Sequence, residues 1–441
     1  MKITYHLKIG CLFFIFLLAI GGKSFAEYDY INISDPFQKK IPIAVPVPAS
    51  LTDNSETERL SQQVVDVLSN SLKFTGYFNV IDKRAFLDAP GKQGITVSEI
   101  NFKNWRDIGS ELLITGGVRL EGRVLQLEFR LFDPFRQTLL FGKRYTGEVS
   151  DMREMVLKFC DEMIHRLTGN FGVFNTQIAF VSEGRDGKAL YVSDFDGENR
   201  RKLTENEDIV LTPAWSPDGR HLAYTSYKNG KPEIFVRSME TGRTELLASY
   251  EGLNITPAWM PGDSRLAATL SFEGDEEIYL LTKSGKVDKR LTNSWGVDVS
   301  PSFSPDGKKM AFVSGRAGSP QIFIMDLKTM RTNRLTFEGR YNTQPEWSPR
   351  GDKIAYSSMS GNTSDIFVIN MDGSGRVQLT ADAGRNESPS WSPDGNMIVF
   401  SSTRKGNSNI YGMTSSGTDQ RPLFEMPGNQ SLPDWSPRIE R

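Results

Sequence analysis

Short apolar runs separated by polar turns recur through the second half of the chain at a fixed step of 44 residues. One run reads Ile178-Ala179-Phe180, Leu222-Ala223-Tyr224, Met310-Ala311-Phe312, Ile354-Ala355-Tyr356 and Ile398-Val399-Phe400. A second reads Leu190-Tyr191-Val192, Ile234-Phe235-Val236, Ile278-Tyr279-Leu280, Ile322-Phe323-Ile324, Ile366-Phe367-Val368 and Ile410-Tyr411. A third, shorter station is Leu203-Thr204, Leu291-Thr292, Leu335-Thr336 and Leu379-Thr380. The fourth is x-Pro-x-Trp-Ser-Pro-Asp-Gly, with prolines at 213, 257, 301, 345, 389 and 433 and an aromatic two residues after each. No stretch between the runs has helical period, so each unit predicts four short strands. Four strands in about 40 to 45 residues is a propeller blade, and six units predict a six-bladed β-propeller over 176–441.

Turn chemistry supports the pattern. In Ser-Pro-Asp-Gly, Pro presets φ and Gly takes the conformation that other residues resist, which closes a tight antiparallel connection. Two copies depart from it, Met260-Pro261-Gly262-Asp263 and Ser348-Pro349-Arg350-Gly351. The repeated aromatics are predicted to wedge between neighbouring blades. The repeat opens on the second strand of a blade and closes on a lone first strand near Pro433, so the last strand is predicted to pair with the first and seal the wheel.

Ahead of the repeat the period changes. Strands are predicted from Ile41, over Phe78 to Ile81, over Leu112 to Thr115, and through Leu125, Leu127, Phe129 and Leu131, which alternate with polar residues. Helices are predicted over Glu56 to Phe74, with Leu60, Val64, Val67, Leu68 and Leu72 inward, near Phe102 to Ile108, and from about Ser150 to Leu167. The result is a mixed α/β domain over 27–170 that joins the propeller near Gly169 to Thr176.

Residues 1–26 carry Lys2 and Lys8, an apolar run from Ile9 to Ile20, and Ser24-Phe25-Ala26, which fits a cleaved secretory signal peptide. Twelve apolar residues are too few to span a bilayer. Loss of Lys2, Lys8 and Lys23 turns 52 basic against 54 acidic residues into 49 against 54, a balance that argues against nucleic acid. Cys160 remains as a single thiol, so no internal disulfide is expected. His165 and His221 have no His or Cys neighbour at metal-ligand spacing, and no Gly-x-Ser-x-Gly elbow occurs. Neither a catalytic residue, a metal nor a cofactor is expected.

A scaffold of equivalent blades exposes its differences at loops. Three residues before each repeat proline stand Val210, Asn254, Asp298, Asn342, Asn386 and Gln430. These are expected either to ring the mouth of the central channel or merely to suit a turn. Beside them lie Leu253, Trp295, Tyr341, Arg340 and Arg385, an apolar and basic mixture that fits an interface. Lys228, Lys231, Arg316, Arg404 and Lys405 against Glu273, Asp275, Glu276 and Glu277 add an asymmetry that would orient a protein partner.

Together, the leader, the α/β domain and the six Pro-x-Trp-Ser-Pro-Asp-Gly blades resemble the TolB family of the Tol-Pal envelope system. The runs Ser71 to Asp82 (SLKFTGYFNVID) and Leu167 to Phe180 (LTGNFGVFNTQIAF) support this over the whole mature chain. The resemblance implies a non-enzymatic periplasmic adaptor that binds the lipoprotein Pal at the propeller, communicates with TolA, serves outer-membrane integrity and constriction at cell division, and in some members receives colicins. Membrane contact would come only through partners. It further implies that Pal meets the loops entering the inner strands, here Leu253, Asn254, Thr256, Trp295, Asp298, Val299, Ser300, Tyr341, Asn342, Asn386 and Gln430. Leu253 and Val299 depart from the polar residues expected there. The mature N-terminus, Glu27, Tyr28, Asp29, Tyr30, Ile31, Asn32 and Ile33, within a mobile segment 27–34, takes the place of the TolA-contacting segment. Competing readings are a secreted propeller hydrolase or lyase and a peptidoglycan-binding module.

Overall fold

The structure is a computed structural model that describes residues 40–439 except 53–54, 90, 92–93, 186 and 206–208. The expected signal peptide and the segment from Glu27 to Ile33 lie outside the described residues.

The first domain is built on a sheet in the order β3-β1-β4-β5-β6, where β1 is Ile41–Ala44, β3 Phe78–Val80, β4 Leu112–Glu121, β5 Val124–Asp133 and β6 Thr138–Glu148; β2 (Ala49–Ser50) pairs alongside β4. Strands β1, β3 and β4 are parallel, and β4, β5 and β6 form an antiparallel meander. Helix α1 (Ser55–Phe74) buries Leu60, Val64, Val65, Leu68 and Leu72, with Glu56 and Glu58 in its first turn and Lys73 in its last, as the helix dipole favours. Helix α2 (Phe102–Asp107) brings Phe102 and Trp105 to a second cluster with Leu113 and Phe132. Helix α3 (Met152–Thr168) ends at Gly169, whose φ of 79° lets its N–H reach the His165 carbonyl. Two strand expectations need correction. The Leu112 strand continues to Glu121, and β6 had not been anticipated. Its residues are mostly half-buried or exposed, so it carries little of the alternation that marks β5.

The second domain is a six-bladed β-propeller with four-stranded blades. Blades 2 to 6 begin with the innermost strands Val210–Trp215, Asn254–Trp259, Asp298–Phe303, Tyr341–Trp347 and Asn386–Trp391. Blade 1 is composite: Asn429–Trp435, from the far end of the chain, pairs antiparallel with Gln177–Gly184 and closes the wheel. The wedge role of the aromatics is visible in their indole N–H groups. Trp215 donates to the Asp434 carbonyl at 3.2 Å, Trp259 to Ala214 at 3.0 Å and Trp391 to Glu346 at 3.1 Å, each in the preceding blade.

The Leu-Thr station is corrected too. It lies just beyond the outermost strands, which end at Lys202, Arg290, Arg334 and Gln378. The leucines plug the blade core, and each Thr hydroxyl accepts a backbone N–H of the third strand: Leu190, Ile278, Ile322 and Ile366, at 2.8 to 3.0 Å. A strand ladder stops where a side chain takes over its hydrogen bond. The sequence also concealed a β-bulge in every innermost strand. The residue before each repeat proline has positive φ: Thr212 46°, Thr256 49°, Ser300 55°, Gln344 53°, Ser388 57° and Leu432 52°. The ladder register shifts across each of these residues.

Candidate docking face

The α/β domain occupies one face of the wheel, the face of the Ser-Pro-Asp-Gly turns. Arg153 donates to both carboxylate oxygens of Asp196 at 2.8 Å, Lys40 pairs with Asp419, and Tyr77 donates to Asp394 at 3.2 Å. Arg421 lies 4.8 Å from the centre of the Phe74 ring, and Phe74 meets Phe195 edge-on at 5.0 Å. All four propeller partners in these polar and cation–π contacts belong to blades 1 and 6. The opposite face, formed by loops entering the innermost strands and by loops joining second to third strands, is the one the α/β domain leaves uncovered.

The polar ring expected at the mouth of that face is not on the surface. Asn254, Asp298, Asn342, Asn386 and Gln430 are all 0% exposed, as is Val210. They brace the loops from beneath. Asn254 accepts from the Tyr250 N–H at 2.8 Å and returns a bond to the Tyr250 carbonyl. Asn342 donates to Gln321 at 2.8 Å, Asn386 donates to Asp365 at 3.1 Å, and Gln430 donates to the Pro427 carbonyl at 3.0 Å. Asp298 accepts from Ser294 at 3.0 Å and from Arg316 at 2.6 Å. The turn reading of these residues is therefore the better one, because they are buried and bonded within the protein instead of facing the channel mouth.

Thr256 and Ser300 sit at the bulge of the innermost strand, where the Thr256 hydroxyl lies 2.7 Å from that of Thr269. Val299 packs against the core shared by blades 4 and 5, and Leu253 is half-buried. The expected residues that stand clear of the surface are Trp295, 69% exposed, Tyr341, 42% exposed, and the exposed Arg340 and Arg385. Phe337, missed by sequence reasoning, is 72% exposed on the loop that precedes Tyr341. Its signal was available: it follows Leu335-Thr336, where the repeat has no further apolar station to fill.

Of the cations expected to decorate this face, Arg316 and Arg404 are half-buried over aromatic rings, while Lys228, Lys231 and Lys405 are exposed. Lys228 lies 3.9 Å from the Phe235 ring centre, Arg316 lies over Phe312 and Phe323, and Arg404 lies over Phe400 and Tyr411. Arg290 pairs with Glu273 at 2.7 Å and Glu277 at 3.2 Å, which spends much of the acidic character of blade 3 internally. The face therefore keeps exposed cations beside its exposed aromatics.

Sequence reasoning also missed two carboxylates on the innermost strands. Burial pushes Glu346 up to about 8, with repulsion from Asp434 adding to it, and burial pushes Asp434 up to about 7. Asp434 accepts from the Trp215 backbone N–H at 2.7 Å, tying the closing strand to blade 2. Among the described residues no cluster of three His, Cys, Asp or Glu side chains is placed to hold a metal, and no helix is long and apolar enough to cross a membrane.

Comparison with known proteins agrees with this architecture. The TolB beta propeller domain family matches residues 164–439, and the TolB amino-terminal domain family matches residues 29–140. Tol-Pal system protein TolB of Desulfosudis oleivorans is 52% identical over 236 residues, covering 54% of each chain. The Syntrophus aciditrophicus protein of the same name is 42% identical over 213 residues, covering 47% of each. The chain thus spans about half the length of the curated relatives it matches. The crystal structure of TolB from Acinetobacter baumannii superposes with a TM-score of 0.80 at 27% identity, over 91% of this chain and 97% of that one. With a propeller match extending over more than half of its length and the α/β domain matched separately, the chain belongs to the TolB family.

Proposed function

We propose that the chain is a periplasmic adaptor of the Tol-Pal system, acting by protein contact and not by catalysis. It binds Pal through the propeller face opposite the α/β domain and communicates with TolA through Glu27 to Ile33. By this route it supports outer-membrane integrity and envelope constriction at cell division, and the same surfaces would admit colicins. The observation that carries the reading is the pair of neighbouring loops, 293–297 and 337–341, whose aromatic side chains Trp295, Phe337 and Tyr341 are exposed on a face free of the other domain. Exposed aromatics of this kind are the usual energetic anchors of an interface. Leu253, Thr256, Val299 and Ser300 would contribute from the channel side, while Asn254, Asp298, Asn342, Asn386 and Gln430 hold the loops in shape.

The test is calorimetric titration of purified Pal into the full chain and into Trp295→Ala/Tyr341→Ala. The double variant is expected to lose at least about 30-fold in affinity, since an anchor is worth about 2 kcal/mol or more. Its unfolding midpoint should stay put. Unchanged affinity would place the Pal site elsewhere. Deleting Glu27 to Ile33 is expected to abolish capture of TolA and leave the protein folded.

A further inference from the structure

The turns on the α/β side of the wheel interlock through a glycine at four of the six seams. A Cβ placed on Gly219 would lie 3.5 Å from Pro437, on Gly307 3.2 Å from the Pro261 carbonyl, on Gly351 3.8 Å from Pro305 and on Gly395 3.0 Å from Arg350. Each glycine occupies the last position of its turn and rests on the turn of the preceding blade. In blade 3 that position is Asp263, and the glycine is displaced to Gly262, where a Cβ would meet nothing within 4 Å. The regular glycine contact is thus missing between the turns of blades 2 and 3.

Two consequences follow in space. Trp259 is the one wedge aromatic of the six that is not buried. A cavity of about 790 Å³ opens between blades 2 and 3, with Val236, Leu247, Trp259 and Leu266 on its apolar side and His221 and Lys283 among its polar groups. The size and the apolar wall fit a site for a small ligand. His221 stands beside Trp259, their ring centres 6.3 Å apart.

The charged lining is mixed, with Asp218, Glu245 and Asp263 acidic and Lys283 the ammonium placed to orient a ligand. Of the lining carboxylates, Asp263 is paired with Arg265 at 2.6 Å, and Arg265 also holds Asp288 at 2.8 Å. Glu245 is paired with Arg243 at 3.1 Å, and Asp218 accepts from the Ser216 hydroxyl and the Arg220 N–H. Lys283, exposed on the turn that follows the third strand of blade 3, forms no ion pair among the described residues. An apolar wall with an uncommitted ammonium at its edge suits a hydrophobic acid.

We propose that this seam binds a hydrophobic carboxylate, with an aryl or branched alkyl group against Trp259 and Leu247 and the carboxylate at Lys283. Such chemistry is presented by a free acyl amino acid or by the C-terminal residue of a peptide. The site lies on the opposite face from Trp295, so it is independent of the docking surface.

Calorimetric titration of the full chain with N-acetyl-L-phenylalanine, its amide and the tripeptide Gly-Gly-Phe tests this. The acid is expected to bind at least tenfold more tightly than the amide, and Lys283→Gln is expected to bring the acid down to the level of the amide. A tripeptide at least tenfold tighter than the acid assigns the site to peptide C-termini; equal binding assigns it to free acids. The variant Met260→Ser/Gly262→Asp/Asp263→Gly restores the regular turn and is expected to close the seam and abolish binding at an unchanged unfolding midpoint. Equal binding of acid and amide, no binding of the acid, or full binding by the Lys283→Gln protein would overturn the proposal.

Discussion

Glu346 and Asp434 occupy equivalent positions in blades 5 and 1, one residue after the repeat proline. Their environment takes the charged form out of bulk water, so the folded state holds their protons to about pH 8 and about pH 7, while an unfolded chain releases them near pH 4. A carboxyl whose folded pKa is raised contributes fully below the unfolded value and loses that contribution as pH rises towards the folded one. Stability carried by this pair should therefore fall between about pH 4 and pH 8. Glu346→Gln removes the charge at nearly constant shape and is expected to stabilise the protein by about 1 to 3 kcal/mol at pH 8.5, with little change at pH 4.5. Urea unfolding at the two pH values measures this, and parallel profiles for the two proteins would contradict it. Neither carboxylate could be singled out beforehand, because the repeat places Ala214, Ala258, Ser302 and Ser390 at the same station and gives no hint of how far that station is shielded.

At the scale of the element, the Leu-Thr station shows how a side chain can end a strand and still complete its hydrogen bonding. Thr336 accepts the Ile322 N–H at 2.9 Å and donates to Gln321 at 2.8 Å, fully enclosed. Thr336→Val keeps the shape and strands both partners, at a cost of about 1 to 3 kcal/mol. A shift of the urea midpoint with unchanged slope is the expected signature. The four stations were legible in sequence because each buries an apolar residue at a fixed address. The assignment of Leu-Thr to a strand was not, since a Thr that caps and a Thr that extends a strand look alike until its hydroxyl has a partner. The same limit explains β6 and the six bulges: a mostly exposed strand has no period to read, and a backbone sign of φ leaves no mark on composition.

At the scale of the whole molecule, the tail that closes the wheel also grips the other domain. Arg438 donates to both oxygens of Asp161 on α3, at 2.8 and 2.5 Å, and to the Gly172 carbonyl, while the Ile439 N–H donates to Asn175. Ring closure and domain placement are thus tied through one short segment. Arg438→Ala leaves the largely buried Asp161 without its guanidinium and is expected to cost about 1 to 3 kcal/mol, less than a fully buried pair because Arg438 is partly solvated. Calorimetry should resolve separate transitions for the two domains in this variant; a single unshifted transition would show that the tail does not couple them.

The chain by itself determined the blade count, the four-strand unit, the wedge aromatics and the composite first blade, because periodic burial and turn residues are local properties repeated six times. The tertiary structure alone decided which loop residues face solvent. Asn342 and Trp295 both lie where the chain enters adjacent innermost strands, yet one is sealed beneath its loop and bonded to Gln321 of the neighbouring blade, and the other stands clear. That difference depends on the neighbouring blade supplying a hydrogen-bond partner or a packing surface, and on the α/β domain covering only one face. Partners across a seam are distant in sequence, so their presence becomes knowable only once the wheel is closed.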